Sequence, residues 1–156
     1  MITSIDHLNI VVRDLDGVTD FFVKLGFEIE DRAALSGEWI SEIVGLEHVL
    51  AVYVKLSFPG SELRLELIRY DSPNSDKVAT GGKPNDPGFR HLAFAVTDID
   101  DVVKNLKGQG IDFFSPVHTY EKTGKRLVYF RGPENILLEL AEYPPSDNRS
   151  GTLGDE

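Results

Sequence analysis

Cysteine is absent from the 156 residues, methionine and tryptophan occur once each, and bases are outnumbered, with 16 Lys and Arg against 26 Asp and Glu. Without cysteine there is no disulfide, no thiolate zinc site and no thiol nucleophile, so any metal must rest on His and carboxylates. A formal charge of −10 argues against a phosphate-tracking surface, because nucleic-acid affinity rests on Lys and Arg replacing counterions. No apolar run approaches the ~20 residues of a membrane span, and the first residues carry no basic segment ahead of a long apolar stretch. These absences predict a cytoplasmic protein with neither a nucleic-acid nor a membrane partner. What is present, 41% apolar residues in one domain's length of chain, suffices for a core without covalent staples.

The chain repeats itself. At an offset of 84, His7-Leu-Asn-Ile-Val-Val-Arg-Asp-Leu-Asp16 pairs with His91-Leu-Ala-Phe-Ala-Val-Thr-Asp-Ile-Asp100, five of the ten positions being identical. The same offset sets Gly26-Phe27 against Gly110-Ile111, and an offset of 73 pairs Leu65-Glu66-Leu67 with Leu138-Glu139-Leu140. Two copies of one module, unequal in their middles, explain all three matches.

Each copy reads as a strand, a helix and three more strands. Residues 4–12 and 89–96 are β-rich, and Asp14 and Asp98 stand where an N-cap oxygen takes up free amide donors. Val18, Phe21, Phe22 and Leu25 form the stripe of one amphipathic helix, and Ile99, Val102, Val103 and Leu106 that of the other. Gly26 and Gly108/Gly110 are the stop signals. Hairpins are expected over 50–58 and 62–70 around Pro59-Gly60, and over 126–131 and 136–143 around Gly132-Pro-Glu-Asn135. The first copy carries an insertion, Leu35 to His48, that predicts a short helix and a pocket wall. The fold class is therefore α+β, with module 1 at about 3–70, a linker at 71–88 rich in Asp, Ser, Pro, Gly and Lys, module 2 at about 89–143 and a disordered tail at 144–156. Open sheet edges in each module predict a homodimer.

Strand alternation places His7, Asn9 and Val11 on one face and Leu8, Ile10 and Val12 on the other; His91, Ala93 and Ala95 likewise oppose Leu92, Phe94 and Val96. The apolar face takes the helix, and the other face leaves room for a ligand. Glu66 and Glu139 each interrupt an apolar strand by the same parity, and a buried carboxylate is costly unless it is paired or bound to a metal. Repetition is what lifts these residues above ordinary structural ones: duplication by itself preserves core leucines but gives no physical reason to keep a His and a Glu in both copies. If the modules pair so that their sheets curve around one cleft, the two His and two Glu converge as an N2O2 set, which suits Zn, Fe, Co, Ni or Mn better than Ca or Mg.

The doubled His-Leu-x-Φ-x-Val-x-Asp-Φ-Asp pattern, where Φ is apolar, with Leu-Glu-Leu closing each copy, resembles the vicinal oxygen chelate superfamily over about residues 3–143. That superfamily includes glyoxalase I, methylmalonyl-CoA epimerase, extradiol dioxygenases and the bleomycin- and fosfomycin-resistance proteins. The resemblance implies paired βαβββ modules whose curved sheets form a half-barrel around a cleft holding one divalent metal, usually within a homodimer, with His7, Glu66, His91 and Glu139 as ligands. Ring-cleaving dioxygenases of the superfamily lack a ligand where Glu66 stands, so Glu66 favours isomerase or lyase chemistry. The expected reaction is proton transfer next to a carbonyl or thioester through a metal-stabilised enolate, with Glu139 or Glu66 as the base. The expected substrate is a glutathione hemithioacetal or an acyl-CoA. The alternatives are a non-haem iron extradiol-type dioxygenase and a non-catalytic small-molecule-binding protein of the resistance type.

The stretches Leu65–Pro73 and Gly124-Lys-Arg126 resemble the epimerase, and Glu47 falls near the place of that enzyme's additional catalytic glutamate, though a solvated loop acid is the plainer reading. His48 and His118 lack counterparts in the opposite copy and read as surface histidines. Arg64, Arg69, Lys125 and Arg126 are candidates for a substrate carboxylate or phosphate, or else for a solvated strand face. Phe21, Phe22, Phe113 and Phe114 read as core.

Overall fold

A computed structural model describes residues 3–77 and 81–145, and the expected tail lies outside the described residues from 146 onward. The chain divides into two compact units, Met1–Thr80 and Gly81–Glu156, a boundary inside the expected linker. The first contains β1 (His7–Val11), α1 (Leu15–Lys24), β2 (Glu28–Ser36), α2 (Glu38–Val44), β3 (Leu50–Ser57) and β4 (Arg64–Ser72). The second contains β5 (His91–Val96), α3 (Ile99–Gly108), β6 (His118–Tyr120), β7 (Lys125–Arg131) and β8 (Leu137–Glu142), with a 3-10 turn at Pro133–Asn135.

Each unit is one open, mixed, four-stranded sheet with the same order, β1-β4-β3-β2 and β5-β8-β7-β6. The module's first strand runs parallel to its last, which places the opening histidine and the closing Leu-Glu-Leu side by side: Asn9 stands opposite Glu66, and Ala93 opposite Glu139. The fold is thus α+β, and His7 and His91 begin equivalent strands. The shorter offset at the closing strand is accounted for by α2, which has no counterpart among the described residues of the second unit.

Both long helices start where a carboxylate takes up free amides. Asp14 accepts from the Gly17 amide and Asp98 from the Asp101 amide, each at 3.0 Å. Leu15, Val18 and Phe22 of α1 are fully buried with Leu65 and Leu67 of β4, and Phe22 meets Phe27 edge-on at 5.4 Å between centroids. In the second unit Ile99 and Leu106 are buried, as are Phe130, Leu138 and Leu140. Phe114 departs from its expected core role: it is 49% exposed, with the Arg131 guanidinium 5.5 Å from its ring centroid. After α1 and α3 the chain turns at Gly26 (φ 102°) and Gly110 (φ 85°), a region that only glycine enters without strain.

The linker is tied down near both of its described ends. Arg13 donates to the carbonyls of Ser75 and Lys77 at 2.8 Å, and Arg131 donates to the carbonyl of Gly82. Among the described residues no helix is long and apolar enough to cross a membrane.

Candidate functional site

The face of each sheet turned away from its long helix, α1 or α3, carries the chemistry. In the first unit Asn9, Glu66, Lys55 and Asp31 stand in one row across all four strands, and directly opposed residues share a face. Glu66 accepts a hydrogen bond from the Asn9 amide at 3.1 Å, and its Oε2 lies 3.5 Å from His7 Nε2. The other ring nitrogen of His7, Nδ1, lies 2.7 Å from Asp6 Oδ2. That bond holds the ring with Nε2 toward Glu66, and it lowers the pKa of the Asp6 carboxyl below its ordinary value. The Tyr53 hydroxyl donates to Asp31 in the adjoining rows, raising the pKa of the phenol and lowering that of the carboxyl.

The second unit builds the same pair in a drier setting. His91 Nε2 lies 3.0 Å from Glu139 Oε2, and the other carboxylate oxygen, Oε1, accepts from Lys125 Nζ at 2.7 Å. The Glu139 side chain is 4% exposed, against 21% for Glu66. Tyr129 stands directly across from Glu139 in the ladder and packs its ring 4.9 Å from that of His91. Burial raises the Tyr129 pKa, with the Glu139 charge adding to the shift, and the bond to Glu139 raises that of Lys125.

Structure therefore brings His7 to Glu66 and His91 to Glu139. Among the described residues no group of three or more His, Cys, Asp or Glu side chains comes together as a metal cage; the candidate ligands come as two pairs, one in each unit. Glu47 sits elsewhere, on the rim of a cavity of about 790 Å³ beside α2, together with Glu38, Ser41, Glu42 and His48. Neither His7 nor Glu66 lines that cavity. The inserted helix does form a pocket wall, and His48, with φ at 54°, belongs to it.

Most of the cations considered for substrate are engaged within their own units. Arg64 binds Glu30 at 2.7 Å, Arg69 binds Asp71 at 2.8 Å, and Arg126 grips both oxygens of Asp100 at 2.8 Å while reaching Glu142 at 2.9 Å. Lys125 serves Glu139. Sequence reasoning had Lys125 among candidate substrate groups; only the β7–β8 pairing shows that it lies within reach of the buried carboxylate. Asp6 was overlooked, although its place beside His7 was the available signal.

The family model of the Glyoxalase/Bleomycin resistance protein/Dioxygenase superfamily matches residues 4–140. The chain belongs to this superfamily. The uncharacterised protein YwkD of Bacillus subtilis (strain 168) is 32% identical over 143 residues, covering 91% of this chain and 98% of its own. Among solved structures, a glyoxalase family protein of Bacillus cereus superposes with a TM-score of 0.85 at 33% identity, covering 92% of this chain and 95% of its own. The fosfomycin resistance protein FosX of Listeria monocytogenes, solved with Mn(II) and a dihydroxypropylphosphonic acid, shares the fold with a TM-score of 0.58 at 19% identity, over 98% of this chain and 96% of its own.

Superfamily membership raises the question of whether these side chains suit a divalent metal. Two ligands each about 2.1 Å from one ion stand about 3.0–3.4 Å apart for angles between square and tetrahedral. The His91–Glu139 separation of 3.0 Å falls within that range, and the His7–Glu66 separation of 3.5 Å lies just beyond it. Asp6 on the far nitrogen of His7 is the arrangement by which a carboxylate orients a metal-binding imidazole. Each pair thus offers one imidazole and one carboxylate, donor types that a divalent metal accepts.

Proposed function

We propose that this chain is a divalent-metal-dependent enzyme of the glyoxalase type that moves a proton on a carbon next to a carbonyl or thioester. His7, Glu66, His91 and Glu139 are its ligand set, and Zn, Ni, Co, Mn or Fe suits it. The observation that carries the reading is the duplicated His–carboxylate pair at equivalent strand positions in both units. A metal bound there supplies a Lewis acid that polarises the substrate carbonyl oxygen, an effect worth several kcal/mol. The chain's own residues do the rest. Asp6 orients His7, Lys125 holds Glu139 inward, and Glu66, held by Asn9 and His7 and more open to solvent, is the carboxylate with freedom to take up and return the proton. Glu47 has no step in this reading, because it lines a cavity apart from His7 and Glu66.

The substrate class is a small molecule of hemithioacetal or acyl-CoA type. Metal content by elemental analysis, measured beside solvent-deuterium exchange into glutathione hemithioacetal and acyl-CoA substrates, tests both halves of the proposal. One metal per chain is expected in the wild type and loss of it in the His7→Ala/His91→Ala double variant; full occupancy in that variant overturns the ligand assignment. Glu66→Gln keeps an oxygen ligand and loses the base, so it should retain metal while exchange falls ~10²–10⁴-fold. Oxygen uptake with catechols would replace the reading with a dioxygenase, and ligand binding without turnover in metal-free protein would replace it with a binding protein.

A homodimer belongs to the same reading. In each unit the two outer strands, β1 and β2 or β5 and β6, pair on one side only within their sheets, and such edges are commonly covered or paired.

A further inference from the structure

Among the described residues Glu139 is the one buried charged side chain, and its Oε1 and Oε2 face different partners: Lys125 Nζ at 2.7 Å and His91 Nε2 at 3.0 Å. Among the described residues no such cation accompanies its counterpart Glu66. Asn9 and His7 hold it at 3.1 and 3.5 Å, and Lys55, opposite it in the ladder, forms no ion pair with it. The Lys125 side chain is 24% exposed and lies 5.5 Å from the centre of the Tyr143 ring, so the ammonium is partly withdrawn from water and directed at the carboxylate. The two His–Glu pairs thus differ in that a cation is built into the second.

A carboxylate held this deeply is costly to bury without a charge or hydrogen-bond partner beside it. A divalent ion shared with His91 could provide that charge, and so does Lys125. We infer that Lys125 is an internal counter-cation for Glu139, holding the carboxylate folded toward His91 when no metal is bound and competing with the metal for its charge. This rests on Glu139 being a metal ligand, as proposed above. Two consequences follow from charge alone. The unit folds with its ligands in place before metal arrives, and metal binds more weakly than it would to an uncompensated carboxylate, because a cation already neutralises the ligand and repels the incoming ion. Lys125 is therefore a positioning residue, acting on the site through Glu139.

Removing one partner of a buried pair strands the other, whereas removing both charges does not. Lys125→Met should lower the melting temperature of chelator-treated protein by about 5–10 °C. Lys125→Arg should keep most of the wild-type value, and Lys125→Met/Glu139→Gln should recover it. Titration with Mn(II), followed by the electron paramagnetic resonance signal of the free ion, should show Lys125→Met binding about tenfold more tightly than wild type. Mn(II) should also raise its melting temperature by more than it raises that of the wild type. The inference is overturned if metal-free Lys125→Met melts with the wild type, if the double variant fails to recover, or if Mn(II) affinity is unchanged or weaker. A wild-type chain that binds no Mn(II) or other divalent ion overturns the metal reading instead, and the metal-free melts still decide whether Lys125 stabilises Glu139.

Discussion

The two glutamates of the candidate site are the same residue type at the same place in a repeated module, and their surroundings make them chemically different. Glu66 meets water, an amide and an imidazole; Glu139 meets an imidazole, an ammonium and a phenol in a nearly dry setting. The groups around Glu139 also give the fold an alkaline limit. Tyr129 and Lys125 both have pKa values raised above their ordinary 10.0 and 10.5, so the folded chain holds these protons after the unfolded chain has released them. Where the unfolded state binds fewer protons, stability falls as pH rises. Stability should therefore be level with respect to these groups below about pH 9 and decline through pH 10 and above. Urea midpoints measured between pH 8 and 11 check this, and Tyr129→Phe should flatten the decline in part, leaving the contributions of Lys125 and of Tyr53, whose pKa the bond to Asp31 also raises.

At the scale of elements, the second unit secures the start of α3 three times over. Asp98 caps the Asp101 amide, Glu142 Oε1 accepts from the Ile99 amide at 3.2 Å, and Arg126 ties Asp100 to Glu142. The first unit repeats the device more lightly, with Asp14 as cap and Arg32 on Asp16 at 2.8 Å. A carboxylate cap removed from a helix start costs about 0.5–2 kcal/mol. Asp98→Ala should therefore lower stability by about 1 kcal/mol in urea denaturation, while Asp98→Asn, which keeps an acceptor, should lose only a fraction of that. A cost near zero for Asp98→Ala would mean that Glu142 and Arg126 alone hold α3. The inserted α2 belongs to the opposite category: Ile40 packs with Val49, Ala51 and Ile68, whereas Trp39 and Ile43 face outward, so the helix serves the cavity beside it more than the sheet core.

For the whole molecule, the open edges of both sheets and the proposed ligand pairs lead to one expected outcome each. Sedimentation at micromolar concentration should show a dimer, and a strict monomer would remove the edge argument. Chelator treatment should lower the melting temperature of the wild type only modestly, since Lys125 compensates Glu139 without metal, and metal restores it in proportion to the logarithm of its concentration over Kd. The architecture itself was legible in the chain. Repeated His-Leu and Leu-Glu-Leu segments, Asp caps, helix stripes and glycine stops are local signals written in neighbouring residues, and they located both modules, α2 and all four candidate ligands by their strand faces. What lay beyond the sequence was who stands next to whom across strands. Lys125 and Glu139 are 14 residues apart and meet because β7 and β8 pair; Arg126 meets Glu142 for the same reason. Alternation along a strand tells which face a side chain takes, but the unequal burial of Glu66 and Glu139, and the cation that accompanies only one of them, are set by register and packing, which bring distant residues within hydrogen-bond range.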